Sequence, residues 1–127
     1  MAQTYSDKPT LEAWNALVDA IGSAPKIAWG TYAGTGAYGE NNRSSLTFDF
    51  EPKLVVVQMT NFCAFNQDPG LGGVPLIAVR GLGLMYSGGT NFVSLFWEGN
   101  TLSWFSRSGA NYQYNVVATN YVYFAIG

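Results

Sequence analysis

Eight carboxylates, a single cysteine and no histidine bound the chemistry open to this chain. Without imidazole, the commonest general base and the commonest metal ligand are both missing. A glycosidase would need two carboxylates flanking a bond. The closest spacing that could offer them is Asp49 and Glu51, which would share a face only if a strand ran through both; beside Pro52 they read as a solvated strand end. Asp68 and Glu98 fall in turns, and no Asp-x-Asp-x-Asp-Gly run exists to hold calcium. Cys63, in the apolar stretch Asn61-Phe62-Cys63-Ala64-Phe65, has no basic neighbour to lower its pKa and reads as a small buried hydrophobe. With one cysteine there is no intrachain disulfide and no thiolate zinc site. The expectation is a protein without enzymatic activity, metal or cofactor.

Two further patterns fail on context. Gly34-Thr35-Gly36-Ala37-Tyr38-Gly39 spells G-x-G-x-x-G, but a dinucleotide loop must open a helix, and here Asn41-Asn42-Arg43 leads into another strand. Without histidine a serine hydrolase would need a Ser-x-x-Lys; the letters occur at Ser23-Ala24-Pro25-Lys26, but Pro25 denies the helical turn that would set the two side chains together. What stands out instead is tyrosine with amides. Tyr32, Tyr38, Tyr86, Tyr112 and Tyr114, with Asn41, Asn42, Asn66, Asn91 and Asn111, exceed what a core needs. Rigid amphipathic rings beside adaptable hydrogen-bonding groups are the vocabulary of binding surfaces. Each ring, taken singly, could equally be a sheet-surface or interface residue with a satisfied hydroxyl.

The elements that must position these groups are mostly strands. One segment reads as helix: Thr10 is an N-cap, and Leu11, Trp14, Val18 and Ile21 repeat at intervals of 3, 4 and 3. Gly22 sits where a C′ glycine belongs and Pro25 forbids continuation. A helix this short is marginal alone, so its stripe must pack on its own domain or against copies of itself around an axis. From Lys26 the period is 2. Strands are expected at 26–33, 44–50, 53–59, 74–80, 92–98, 101–106, 112–117 and 121–126. Leu54-Val55-Val56-Val57 is apolar on both faces and reads as a central strand. Gly99-Asn100 makes a two-residue hairpin that sets Trp97 opposite Leu102 and Leu95 opposite Trp104. Phe96 and Phe105 then fall on the other face and need cover. The expected fold is all-β, an antiparallel β-sandwich of about eight strands, jelly-roll-like or Greek key, preceded by one short helix. Residues 1–25 form an arm and helix for attachment or trimerisation, and 26–127 the sandwich.

Composition narrows the class. Of 127 residues 48% are hydrophobic, 16% aromatic and only 11% charged, against about 25% charged in an average soluble protein. Disorder is excluded, since it needs low hydrophobicity and high charge. The six Lys and Arg residues are scattered and the net charge is −2, so no patch could neutralise several phosphates and nucleic acid is not an expected partner. No apolar run approaches the ~18 residues of a membrane span, and Met1–Thr10 carries no signal-peptide core.

Two stretches resemble a known family. Gly30-Thr31-Tyr32-Ala33-Gly34, followed by Ser45-Leu46-Thr47-Phe48-Asp49-Phe50-Glu51-Pro52-Lys53-Leu54-Val55-Val56-Val57, is similar to the C-terminal domains of phage and prophage tail-fibre proteins from Firmicutes. The ending, Asn100-Thr101-Leu102-Ser103-Trp104-Phe105 and Asn120-Tyr121-Val122-Tyr123-Phe124-Ala125-Ile126-Gly127, also looks like theirs. The resemblance spans about Ile27 to Gly127. It implies a β-rich, non-enzymatic virion protein, made in the host cytoplasm and released by lysis. Its partners would be itself as a homotrimer, other virion proteins and a host surface glycan. A capsid-decoration or head-fibre role without receptor binding is the alternative. Oligomerisation is expected through Leu11, Trp14, Val18 and Ile21. If the strands form a simple meander, the end far from Lys26 collects Tyr38, Asn41, Asn42, Phe62, Phe65, Asn66 and Asn100 as the ligand-binding surface, leaving Gly81–Asn91 and Ser108–Asn111 near.

Overall fold

A computed structural model describes residues 10–22, 24–60, 75–88 and 91–127. The helix α1 (Leu11–Gly22) opens as its sequence dictates: Thr10 Oγ1 accepts the Ala13 N–H at 3.1 Å, an N-cap on the third helical residue. It runs one residue further than expected, through Gly22. Eight strands follow: β1 (Ile27–Ala33), β2 (Ser44–Thr47), β3 (Leu54–Met59), β4 (Leu76–Val79), β5 (Leu84–Gly88), β6 (Asn91–Glu98), β7 (Thr101–Phe105) and β8 (Asn120–Ile126). They form two four-stranded antiparallel sheets, ordered β1-β8-β3-β4 and β2-β7-β6-β5, packed as a sandwich.

Period-2 alternation builds the core. From the first sheet Val55, Val57, Leu76, Ala78, Tyr121 and Ala125 point inward. Val93, Leu95, Leu102 and Trp104 meet them from the second. The β6–β7 hairpin has the register its sequence requires, with Leu95 opposite Trp104 and Trp97 opposite Leu102. Gly99 takes φ 56° at the first turn position while Asn100 stays at negative φ, the turn that needs glycine first. The central position expected for Leu54–Val57 is also observed, since β3 lies between β8 and β4.

The outer faces of the two sheets differ in kind. On the second sheet, Phe96 and Phe105 stack at 5.7 Å and the Arg43 guanidinium lies 3.7 Å from the Phe96 ring centre, which supplies the cover these rings need. On the first sheet Gln58 is buried, but the rows nearer the Lys26 end stay largely exposed. Ile27, Ile126, Leu54 and Val79 align in one row across all four strands, and Trp29, Phe124, Val56 and Ile77 in the next.

Two strand assignments from the sequence are corrected. Residues 112–117 are not a strand. Gln113, Tyr114 and Asn115 are buried in succession, and Tyr114 has φ 58°. Successive turns over 110–114 and the positive φ at Tyr114 break any ladder, so this segment enters the end of the sandwich as a plug. Conversely, the glycine-rich stretch read as a loop contains β5, which pairs Leu84 with Ser94 and Met85 with Val93. β2 also stops at Thr47, short of the expected Phe50, with one last in-register bond from the Phe48 N–H to Asn100 O at 3.0 Å.

These changes redistribute the loops. The extra strand reverses the direction of everything after it until the lost strand restores it. The simple meander is therefore wrong. The Gly99–Asn100 turn lies at the near end with Pro52, where Arg80 ties them by Nε to Pro52 O and Nη2 to Gly99 O, both at 2.7 Å. Residues 106–119 lie at the far end with the 34–43 loop.

Candidate functional site

The far end is organised by two buried amides. Gln113, with no exposed surface, accepts the Gly39 N–H at 2.9 Å and the Ser106 N–H at 3.0 Å through Oε1. Its Nε2 donates to Asn42 O at 2.7 Å and to Ser44 Oγ at 3.2 Å. The backbone carbonyl of Gln113 accepts from Trp104 Nε1 at 2.8 Å, anchoring the plug to the core. Asn115 does the same for the first half of the loop: Oδ1 accepts the Thr35 N–H at 2.9 Å, and Nδ2 donates to Thr35 Oγ1 and Ala37 O, each at 2.8 Å. A loop with three glycines is thus held by these side chains together with backbone bonds from the Gly34 N–H to Thr119 O at 2.8 Å and the Gly36 N–H to Asn115 O at 2.7 Å.

Gly34 has a specific role here. A Cβ at this position would overlap the Val116 carbonyl, so only glycine lets the loop lie against the plug.

Beneath the plug, Tyr32 stacks on Tyr121 at 5.1 Å, and Tyr114 meets Tyr121 edge-on at 6.4 Å. Tyr32 Oη donates to Tyr114 O at 2.6 Å and Tyr121 Oη accepts the Val116 N–H at 3.0 Å. Burial, reinforced by the neighbouring phenols, pushes the Tyr32 and Tyr114 hydroxyls well above the usual range; burial also raises Tyr121, against the Val116 hydrogen bond. Tyr32 and Tyr114, counted from the sequence as surplus to the core, belong to its far end.

Between the edges β1 and β2, where the two sheets part, a cleft of about 330 Å³ opens to solvent. Tyr32 and Trp104 form its floor, and Thr35, Asn42, Arg43 and Ser45 its walls. Ser45 borders it from the outer face of β2, in the row of Ser103 and Phe96, and the Arg43 guanidinium is drawn to that same face by its stack on Phe96. Asn42 directs Nδ2 to Tyr38 O at 3.2 Å. Apolar rings with a few convergent polar groups are what a small-ligand or sugar subsite requires.

Of the residues expected at a binding surface, Tyr38, Asn41 and Asn42 come together on the 34–43 loop, with Tyr38 and the short turn Glu40–Asn42 exposed. Asn100 does not join them, because its turn lies at the opposite end. Phe62, Phe65 and Asn66, like Cys63 and Asp68, fall outside the described residues. The sequence reading missed Thr35, Arg43 and Ser45. Arg43 carried one legible signal, the position next to Asn42 at the entry to a strand; the cleft itself forms only when β1 and β2 become the edges of facing sheets.

The carboxylates stay apart. Glu51 pairs with Arg80 at 3.5 Å and Glu40 with Arg107 at 3.1 Å, both at the surface, and Asp49 is exposed beyond the end of β2. Among the described residues no three His, Cys, Asp or Glu side chains gather where a metal ion could sit. Compared with protein-family models, with curated proteins and with solved structures, the chain matches none of them. The likeness to tail-fibre domains stands on its own residues alone.

Proposed function

We propose that this chain is a non-enzymatic binding domain of a phage virion, a fibre-tip module that takes a host surface glycan at its far end and assembles as a homotrimer. The observation that carries the binding half is the cleft between β1 and β2, where the Tyr32 ring meets the polar loop groups of Thr35 and Asn42, with Arg43 beside them. Sugar rings stack on aromatic faces and exchange hydroxyl hydrogen bonds with amides and hydroxyls. Arg43 extends the ligand class from neutral sugars to acidic ones, whose carboxylate a guanidinium fork can grip. The loop walls are fixed by Gln113 and Asn115 before any ligand arrives, which lowers the entropy cost of binding.

The test is binding to a panel of bacterial wall and capsular polysaccharides. Tyr38→Ala, Asn42→Ala and the two combined should each weaken binding about tenfold or more. Unchanged binding in all of them sinks the assignment. The competing reading is a structural virion role without a receptor, favoured by the uncovered apolar face of the first sheet. Labelled protein that ignores host cells while binding virions lacking it would decide for that reading.

A further inference from the structure

The outer face of the β1-β8-β3-β4 sheet carries eight apolar side chains in two rows and no charged residue within them. Trp29 is 76% exposed, and Ile27, Ile77, Val79 and Phe124 are exposed between 38% and 62%. With Val122 beside them, side chains of this size at those exposures present on the order of 600 Å² of apolar surface. That is the upper limit for the largest patch on a typical monomer and three-quarters of the roughly 800 Å² that each partner contributes to a standard interface.

The same chain displays a second uncovered apolar surface. In α1, Trp14 is 58% exposed and Leu11 and Leu17 are more than half exposed. Among the described residues the extensive packing between elements joins strands to strands, and α1 takes part in none of it. Only residues 23–26 separate α1 from β1. One chain therefore leaves two neighbouring apolar surfaces bare, and each lacks what the other supplies.

We infer that the outer face of this sheet is an interface between copies of this chain, with α1 of one copy seated on the β1-β8-β3-β4 face of the next. The occupant must be apolar, and α1 is the described element outside the sandwich that offers such a stripe. The contact joins two unlike surfaces, so it is satisfied reciprocally in a pair or head-to-tail around a closed ring. This deepens the oligomeric half of the proposed function by naming its surface. It makes no use of the cleft, so loss of glycan binding leaves it standing.

Sedimentation velocity of the full chain, from low to high micromolar concentration, reads the association directly. The wild type should sediment as a closed oligomer. Trp29→Lys with Ile77→Lys, both exposed in the single chain, should raise the half-dissociation concentration about a hundredfold while leaving the far-ultraviolet spectrum unchanged. Hydroxyl-radical footprinting of the unmodified protein gives a second reading that no folding defect can confuse. Trp29 and Trp14 should be protected at high concentration and become reactive together on dilution. A wild-type monomer at all concentrations overturns the inference. If Trp29 is protected in that monomer, the chain's own α1 covers the face; if it is reactive, no copy does. An oligomer that tolerates both lysines places the interface elsewhere and also overturns it.

Discussion

Replacing Gln113 by alanine should cost about 4 kcal/mol of folding stability, because that side chain makes four hydrogen bonds in a position closed to water. Each bond is worth about 1 kcal/mol net, and an orphaned buried partner costs about 1–3 kcal/mol. Gly39 and Asn42 lie on the loop and can recover water, whereas Ser106 is buried and cannot. The two effects offset in part, which leaves the sum near the simple count. Against a total stability of about 5–15 kcal/mol this is a large fraction. In a domain of this size it lowers Tm by roughly 12–20 °C. Urea unfolding followed by tryptophan fluorescence measures it, and Gln113→Met separates bonding from volume. Methionine fills the space but satisfies no partner, so it should lose nearly as much as alanine. A Gln113→Met protein within about 1 kcal/mol of wild type would show that packing, not the amide network, holds the far end.

Other expectations follow from the same structure. Gly34→Ala should destabilise by at least about 2 kcal/mol, since the loop must leave Val116 to admit a Cβ; a thermal melt checks it. Arg80→Lys keeps the charge but gives up the two-pronged hold on Pro52 O and Gly99 O, costing about 1–2 kcal/mol in urea unfolding. Alkaline pH should destabilise the fold. Tyr32, Tyr114 and Tyr121 have folded-state pKa values above the ordinary 10.0, so below pH 10.0 both states hold the proton and nothing is lost. Above it the unfolded chain releases protons the folded chain keeps, and stability falls by about 1.4 kcal/mol per tyrosine per pH unit. Absorbance at the phenolate band should show Tyr32 and Tyr114 titrating only with unfolding and Tyr121 above its ordinary value; early titration of all eight tyrosines contradicts the buried cluster.

Much of the fold was legible because it rests on local rules. The Thr10 cap, the Gly99-Asn100 hairpin and the register that sets Leu95 on Trp104 need only neighbours in sequence or a two-residue turn. The central place of Leu54–Val57 followed from apolar residues on both strand faces. The failures are equally specific. Tyr112, Tyr114 and Val116 alternate with polar residues as a strand would, yet the side chains of Gln113 and Asn115 are needed inside, where they bond Thr35, Ala37, Gly39 and Asn42 of the glycine loop. The glycines around Leu84–Gly88 mimic a loop, yet β6 offers a free edge that the segment pairs with.

The binding-surface residues divide along the same line. Tyr38, Asn41 and Asn42, expected at one surface, lie together because a single short loop carries them. Asn100 was misplaced because loop ends depend on the parity of strands, and one strand gained and one lost shifts every loop between them. The sequence by itself determined that the chain buries a β core, that it opens with a capped helix, and that it lacks histidine chemistry. Only the tertiary structure decided which strands became edges, and hence that a cleft lies between β1 and β2. It also decided that one sheet would carry its apolar rows to the outside, since a period-2 pattern specifies two faces but not what covers the second.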